Sequence, residues 1–287
     1  MNSMPRDFIV GVEMNPKVMI ILGSASDSKI AQKAIDILEN LQIPYSLNVA
    51  SAHRTHEKVK NLVIEGTERG IEVFIGIAGL AAHLPGSIAA YTHKPVIGVP
   101  VDVKVGGLDA LYATAQMPFP APVATVGIDR GDNGAILAAQ IIATKDKETK
   151  EKIDSLRNSY ETKVKEDEKK LLSSLNGKYL QKQFINNYEE KEYYFLNEEE
   201  NGENKELTLN KDNPLVSVVP GSYSDVEEAK KVAVTLDRLG ISYDMNIISP
   251  IRYPEKFHQY IESMKDVKLF IAVSGLSAHV AGSIVAL

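Results

Sequence analysis

Short apolar runs alternate with helical patterns over the first half of the chain. The apolar runs are nearly continuous and rich in Val and Ile, which predicts strands that are buried on both faces of a sheet. Between them, apolar residues recur every three or four positions, as they do in amphipathic helices. The predicted strands lie at 17–22, 45–50, 72–79, 94–101 and 121–128. This alternation predicts an α/β fold, a three-layer α/β/α sandwich with a doubly wound parallel sheet of the flavodoxin or Rossmann type.

Three loop segments follow the carboxyl ends of predicted strands. They read GSASD at 23–27, SAHR at 51–54 and AGLAAHLPG at 78–86. Ligands of open parallel sheets bind outside the carboxyl ends of the strands. We therefore expect the three segments to meet on one rim and to form the functional site.

The second half of the chain repeats the first. GSASD returns as GSYSD at 221–225, an offset of 198, and AGLAAHLPGS returns as SGLSAHVAGS at 274–283, an offset of 196. A matched order at a nearly constant offset indicates a tandem duplication. We therefore expect an N-terminal extension at 1–16, a first repeat at 17–143, a charged helix with a linker at 144–213, and a degenerate, incomplete second repeat at 214–287.

The second repeat differs from the first where chemistry is expected. SAHR has become Ser249-Pro250-Ile251-Arg252, so an isoleucine stands in place of the histidine. Leu287 aligns with Tyr91, so the last two strands have no counterpart. Because an open half-sheet exposes apolar edges, we expect either a truncated sequence or a repeat that needs a partner to fold.

Composition and charge exclude several classes of function. The net charge of -6 and the pI of about 5.6 argue against a nucleic-acid partner, because such binding requires a basic surface. The absence of cysteine excludes disulfides, thiolate catalysis and cysteine-ligated zinc. Without a signal peptide or an apolar run of about 18 residues, no membrane partner is predicted and a cytoplasmic location is expected. HExxH, Walker and GxGxxG motifs are also missing, so no metal or nucleotide cofactor is predicted.

Each rim segment has a functional and a purely structural interpretation. GSASD could bind a phosphate through backbone N–H groups and the hydroxyls of Ser24 and Ser26, or could only cap a helix. His53 and Arg54 could transfer protons and bind phosphate, or could be a structural histidine beside a surface arginine. His83 stands among small apolar residues and could line the site or be a buried core residue.

Taken together, the segments resemble the aminoimidazole ribonucleotide carboxylase family of purine biosynthesis, and specifically its 5-(carboxyamino)imidazole ribonucleotide mutase branch. The resemblance runs in order through GSASD, SAHR, AGLAAHLPG, PVIGVPV, GGLDAL, QMP and DNGAILAAQII, about residues 17–143. It implies an enzyme without a cofactor that moves a carboxylate from the exocyclic amine to carbon 4 of an imidazole ribonucleotide. Two alternatives stay open: a carboxylase that takes CO2 directly, and a nucleotide-binding regulator without catalysis.

The resemblance also implies roles for single residues. His53 is implied as the catalytic proton shuttle. The implied substrate-binding residues are Ser24, Asp27, Ser51, Arg54, Gly79, His83 and Leu84. The implied partners are a small ribonucleotide and CO2. Family members are octamers, so we expect a homo-oligomer built as an octamer-like ring of domains, in which the second repeat binds ligand or serves assembly alone.

Overall fold

The chain folds as two separate units. The computed structural model describes residues 15–174, 214–275 and 278–287. The units divide at Met1–Phe184 and Ile185–Leu287. The linker expected at 176–213 and most of the expected N-terminal extension lie outside the described residues. Among the described residues, none of the helices combines the length and the apolar character that a membrane crossing requires.

The first unit is a parallel α/β sandwich. Its strands are β1 Val18–Leu22, β2 Tyr45–Val49, β3 Val73–Gly79, β4 Val96–Val101 and β5 Ala124–Thr125. Its helices are α1 Ser28–Asn40, α2 His56–Glu68, α3 Leu84–Ala89, α4 Leu108–Ala115, α5 Gly131–Ala143 and α6 Lys147–Ser174. The spatial order of the strands is β2-β1-β3-β4-β5, and all neighbouring pairs are parallel. The predicted fold class is confirmed, and the strand order reverses between β1 and β3, where ligands of such sheets bind.

Two cores cover the two faces of this sheet. In β1, Val18, Ile20 and Leu22 pack against α1 and α5, whereas Met19 and Ile21 pack against α2, α3 and α4. Successive residues of a strand point to opposite faces. Because both faces are covered, every position of the strand is apolar, which explains the continuous apolar runs in the sequence.

Strand β5 is shorter than predicted. The sequence predicts a strand over 121–128, but the paired residues are only Ala124–Thr125. Pro120 and Pro122 precede them, and proline has no N–H to donate to a neighbouring strand. The apolar residues around β5 still help to bury the sheet, since Val123 is 9% exposed.

The first half of α6 belongs to the first unit. Ile153 is 4% exposed and is part of the core that contains α1 and α5, and Leu156 packs against the same core. Just before the helix, the Asp146 carboxylate lies 2.8 Å from the Lys17 ammonium. The spacing of Ile153, Leu156 and Tyr160 predicts a solvated amphipathic helix. Its apolar face packs on the core at Ile153 and Leu156, whereas Tyr160 is 56% exposed.

The second unit repeats the first three strands. Its strands are β6 Val216–Pro220, β7 Tyr243–Met245 and β8 Leu269–Val273, and its helices are α7 Val226–Arg238, α8 Pro254–Ser263 and α9 His279–Ala286. The order β7-β6-β8 matches β2-β1-β3. Even an unusual backbone conformation recurs, because Ala82 and Ala278, which align by the offset of 196, both have a positive φ, 36° and 48°. The structure is therefore that of a duplicated domain.

Candidate active site

The GSASD turn connects β1 to α1 at the strand-order reversal. The Gly23 N–H donates to the Ile77 carbonyl of β3 at 2.9 Å, which fixes the start of the turn. Ser24 has an extended backbone, and its hydroxyl oxygen accepts a hydrogen bond from the Ser26 N–H at 3.3 Å. Both serine hydroxyls are thereby held at the rim.

Asp27 lies beneath this turn rather than on its surface. It is 7% exposed, and its Oδ1 accepts a hydrogen bond from the Ser26 hydroxyl at 3.1 Å. Burial raises the pKa of this carboxyl above its usual range, against the opposing effect of the Ser26 hydrogen bond. The geometry suits a residue that orients the serine hydroxyls from below.

The SAHR turn connects β2 to α2 and is tied to the GSASD turn. The Arg54 N–H donates to the Ser51 hydroxyl at 3.3 Å, and the Arg54 Nη2 donates to the Gly23 carbonyl at 3.3 Å. The Ser51 N–H in turn donates to the Thr55 hydroxyl at 2.8 Å. These contacts place the guanidinium beside the first turn of the rim, as the topology predicts.

The two turns enclose a cleft of about 400 Å³. Its lining consists of Gly23, Ser24, Ala25, Val49, Ala50, Ser51, Arg54, Thr55 and Lys58. Two cationic side chains and three hydroxyl groups therefore face a space that is otherwise lined by small or apolar residues. Charged hydrogen bonds from such donors are the interactions that hold a phosphate group.

Lys58 and Thr55 are members of the cleft that the sequence analysis missed. Lys58 lies in the first turn of α2, four residues after Arg54. Arg54 lies in the turn that immediately precedes this helix. A cation in the first turn of a helix that follows the rim directly is the signal that could have identified Lys58.

His53 and His83 meet at the rim. The His53 Nε2 lies 2.6 Å from the His83 Nδ1, and the two ring centroids are 4.8 Å apart with the planes tilted by 60°. Both side chains are exposed. The interpretation of His83 as a buried core residue is therefore wrong. One nitrogen of this contact must donate and the other must accept, so a single proton lies between the rings.

The segment that carries His83 has an uncommon backbone. Leu80 and Ala82 have positive φ values of 55° and 36°, a conformation that side chains other than glycine adopt rarely. At Gly79, which ends β3, an added Cβ would clash with the Val103 side chain. Leu84 begins α3 and is 2% exposed, so its side chain belongs to the core and only its backbone is near the rim.

No metal ligand cluster accompanies this site. Within the ranges that the structure describes, no three side chains of His, Asp or Glu converge in a way that could hold a metal ion. The groups available for chemistry at the rim are the two imidazoles, the two cations and the hydroxyls of the cleft.

Comparison with known proteins identifies relatives of both units. The model of the AIR carboxylase family matches residues 17–163 and 215–287. The chain is 59% identical over 276 residues to a probable N5-carboxyaminoimidazole ribonucleotide mutase of Methanothermobacter thermautotrophicus, a match that covers 96% of this chain and 78% of the relative. It is 51% identical over 154 residues to the N5-carboxyaminoimidazole ribonucleotide mutase of Methanocaldococcus jannaschii, which covers 54% of this chain and 96% of the relative.

A solved structure resembles half of the chain. The crystal structure of Treponema denticola PurE matches with a TM-score of 0.50 and 32% identity, and covers 54% of this chain and 98% of that one. The agreement in both sequence and fold is consistent with one complete copy of that fold within this chain.

Proposed function

Because the chain belongs to the AIR carboxylase family, we propose that it is an N5-carboxyaminoimidazole ribonucleotide mutase of purine biosynthesis. The reaction moves a carboxylate from the exocyclic amine of the substrate to carbon 4 of its imidazole ring. One relative with this name, marked as probable, covers 96% of the chain, and another covers 54% of it. The observation that carries the proposal is the His53–His83 contact at a rim that also contains a cationic cleft.

The cleft is the site that we assign to the 5'-phosphate of the ribonucleotide. Arg54 and Lys58 supply the positive charge, and the hydroxyls of Ser24 and Ser51 supply short-range donors. Asp27 orients the serine turn from beneath through its contact with Ser26. A phosphate bound in this way orients the rest of the nucleotide, so little further conformational freedom has to be lost during the reaction.

We assign both proton transfers to His53. Cleavage of the carbamate N–C bond releases CO2, and the amine nitrogen takes up one proton. Carbon 4 then attacks CO2, a C–C bond forms, and carbon 4 loses its proton as the ring regains aromaticity. One proton is consumed and one is released, so one imidazole can serve as acid and then as base.

His83 is assigned a positioning role in the same cycle. Its Nδ1 is within hydrogen-bond distance of the His53 Nε2, which fixes the orientation of the catalytic ring. When His53 becomes an imidazolium, this contact becomes a charge-assisted hydrogen bond and stabilises the charge. Gly79 and the backbone at Leu84 shape the loop that carries His83 and line the ring end of the site.

Released CO2 has to stay beside carbon 4 until it is recaptured. In the first unit by itself both histidines are exposed, and so are Val105 and Phe119, at 73% and 86%. A homo-oligomer, such as the octamer-like ring that the resemblance implies, would cover these side chains and exclude water from the site. We therefore include a homo-oligomer in the proposal, and native mass spectrometry of the purified chain tests it.

Catalysis is assigned to the first repeat, residues 17–143. In the second repeat the position of His53 is taken by Ile251, which cannot transfer a proton. Neither direct use of CO2 nor a purely regulatory role is favoured, because the named relatives are mutases.

The decisive assay compares two substrates. The purified chain is given N5-carboxyaminoimidazole ribonucleotide at low bicarbonate and, separately, aminoimidazole ribonucleotide with bicarbonate. We expect product from the carbamate, and we expect His53→Asn to abolish it while nucleotide binding persists. Product only at high CO2 would indicate a direct carboxylase, and binding without product from either substrate would refute the enzymatic function.

A further inference from the structure

The second unit retains the backbone of the cleft. The Gly221 N–H donates to the Val273 carbonyl at 2.9 Å, and its counterpart in the first unit, Gly23, makes the same bond to Ile77 at the same length. The Asp225 N–H donates to the Ser222 carbonyl at 3.1 Å, which repeats the turn of the GSASD segment. The β6–α7 turn therefore has the conformation of the β1–α1 turn.

The second turn of the cleft is retained as well. The Arg252 N–H donates to the Ser249 hydroxyl at 3.3 Å, the same contact and the same distance as between Arg54 and Ser51. Pro250 and Ile251 have replaced the two residues between them without changing this bond. The turn thus keeps its shape although half of its sequence has changed.

The two cations of the cleft and both of its serines have counterparts in the second unit, whereas its threonine, Thr55, is replaced by Tyr253. By the offset of 198, Lys256 corresponds to Lys58 and Arg252 to Arg54, and both second-unit cations are exposed. The Ser222 hydroxyl donates to the Asp225 carboxylate at 2.7 Å, so an acidic residue again orients a rim serine. Every side chain that we assign to the phosphate in the first unit has a chemical equivalent here.

What the second unit has lost is the proton shuttle. Ile251 is 66% exposed, so its position at the rim is open to a ligand but has no proton to give or take. Loss of the acid–base group together with retention of the cationic group separates binding from chemistry.

We propose that the second unit is a second binding site for a ribose 5-phosphate compound, which it holds without converting it. The ligand is held by Arg252 and Lys256, with a hydroxyl donor from Ser249, whose oxygen accepts from the Arg252 N–H and whose own proton remains available. We take this ligand to be aminoimidazole ribonucleotide, which the first site forms when its substrate loses CO2, and this identity rests on the proposed function. Each chain then binds two phosphate-containing ligands and converts its substrate only at the first site.

The test is the stoichiometry of binding to the full chain. Isothermal titration with aminoimidazole ribonucleotide, in buffer depleted of CO2, is expected to give two equivalents per chain. A parallel titration with ribose 5-phosphate tests whether the second site recognises only the phosphoribosyl group. Arg252→Ala should leave one equivalent of full affinity and weaken the other by about 10- to 150-fold, as expected for loss of a charged hydrogen bond.

Two further variants separate the sites. Arg54→Ala should retain the second equivalent and lose turnover, whereas Arg238→Ala, which removes an exposed arginine from the end of α7, should retain both equivalents. Thermal unfolding checks that each variant is folded, and Lys256→Ala repeats the test at the second cation.

One equivalent in the unaltered chain, or two equivalents that persist at full affinity in Arg252→Ala, would overturn the proposal. These outcomes do not depend on catalysis. A chain that binds two equivalents but never forms product would refute the proposed function and leave the second site standing.

Discussion

The contact between the two histidines makes a prediction that separates orientation from proton transfer. We consider His83→Phe, which keeps an aromatic ring of similar size but removes the nitrogen that lies 2.6 Å from the His53 Nε2. The lost interaction is a hydrogen bond to a group that becomes charged during the reaction, and such bonds contribute about 1.5 to 3 kcal/mol. We therefore expect kcat to fall by about 10- to 150-fold.

KM should change little in this variant. The cations assigned to the phosphate line a cleft whose members do not include either histidine. His53→Asn, which removes the acid–base group itself, should reduce kcat by about 10²- to 10⁴-fold or more. His83→Gln retains a polar group that can reach towards His53, so its kcat should lie between those of the parent enzyme and His83→Phe.

The assay is steady-state conversion of N5-carboxyaminoimidazole ribonucleotide, followed by absorbance of the product, with urea unfolding as a control for folding. Because both histidines are exposed, the free energy of unfolding should change by no more than about 0.5 kcal/mol. If His83→Phe had the parent kcat, the positioning role would be wrong. If it were as inactive as His53→Asn, His83 would have to transfer a proton itself.

Three further predictions concern the first unit. Asp146→Asn should lower the free energy of unfolding by about 1 kcal/mol at pH 7, because Lys17 lowers the pKa of Asp146 to about 2. This stabilisation is present above pH 4 and should disappear as the pH falls through 2. Urea titrations of parent and variant at each pH measure it. Ile153→Ala should lower the free energy of unfolding by about 2 to 5 kcal/mol, since α6 packs on the core there, while Tyr160→Ala, at an exposed position of the same helix, should leave it within about 0.5 kcal/mol. Burial raises the pKa of Asp27, so its ionisation destabilises the folded parent. The free energy of unfolding of Asp27→Asn minus that of the parent should therefore be larger at pH 7 than at pH 4. Equal differences at the two pH values would contradict this.

The sequence predicts those features that depend on local pattern. The continuous apolar residues of β1 reveal a doubly covered sheet, since both faces must exclude water, and the repeated GSASD motif reveals the duplication. The topology rule also brings His53, Arg54 and Ser24 to one rim, because the carboxyl ends of parallel strands meet there. These predictions required no knowledge of how side chains pack.

Other features depend on contacts that no local pattern encodes. The topology rule predicts that the segments of His53 and His83 meet, but it does not predict that these two side chains, 30 positions apart, contact each other. The helical spacing of Ile153 predicts an apolar face on α6, but it does not predict that this face packs on the core that contains α5. The resemblance implies Leu84 at the site through its backbone, and only the structure shows that its side chain lies in the core.

The exposure of the His53 ring has an evolutionary consequence. In the described structure its side chain bonds to His83 and is not part of either core, so the fold of the unit does not depend on it. After a duplication, selection for folding and for phosphate binding would retain the strands, turns and cations of the second copy but would not retain this histidine. An isoleucine that is 66% exposed at the equivalent position is what neutral drift at such a residue would leave.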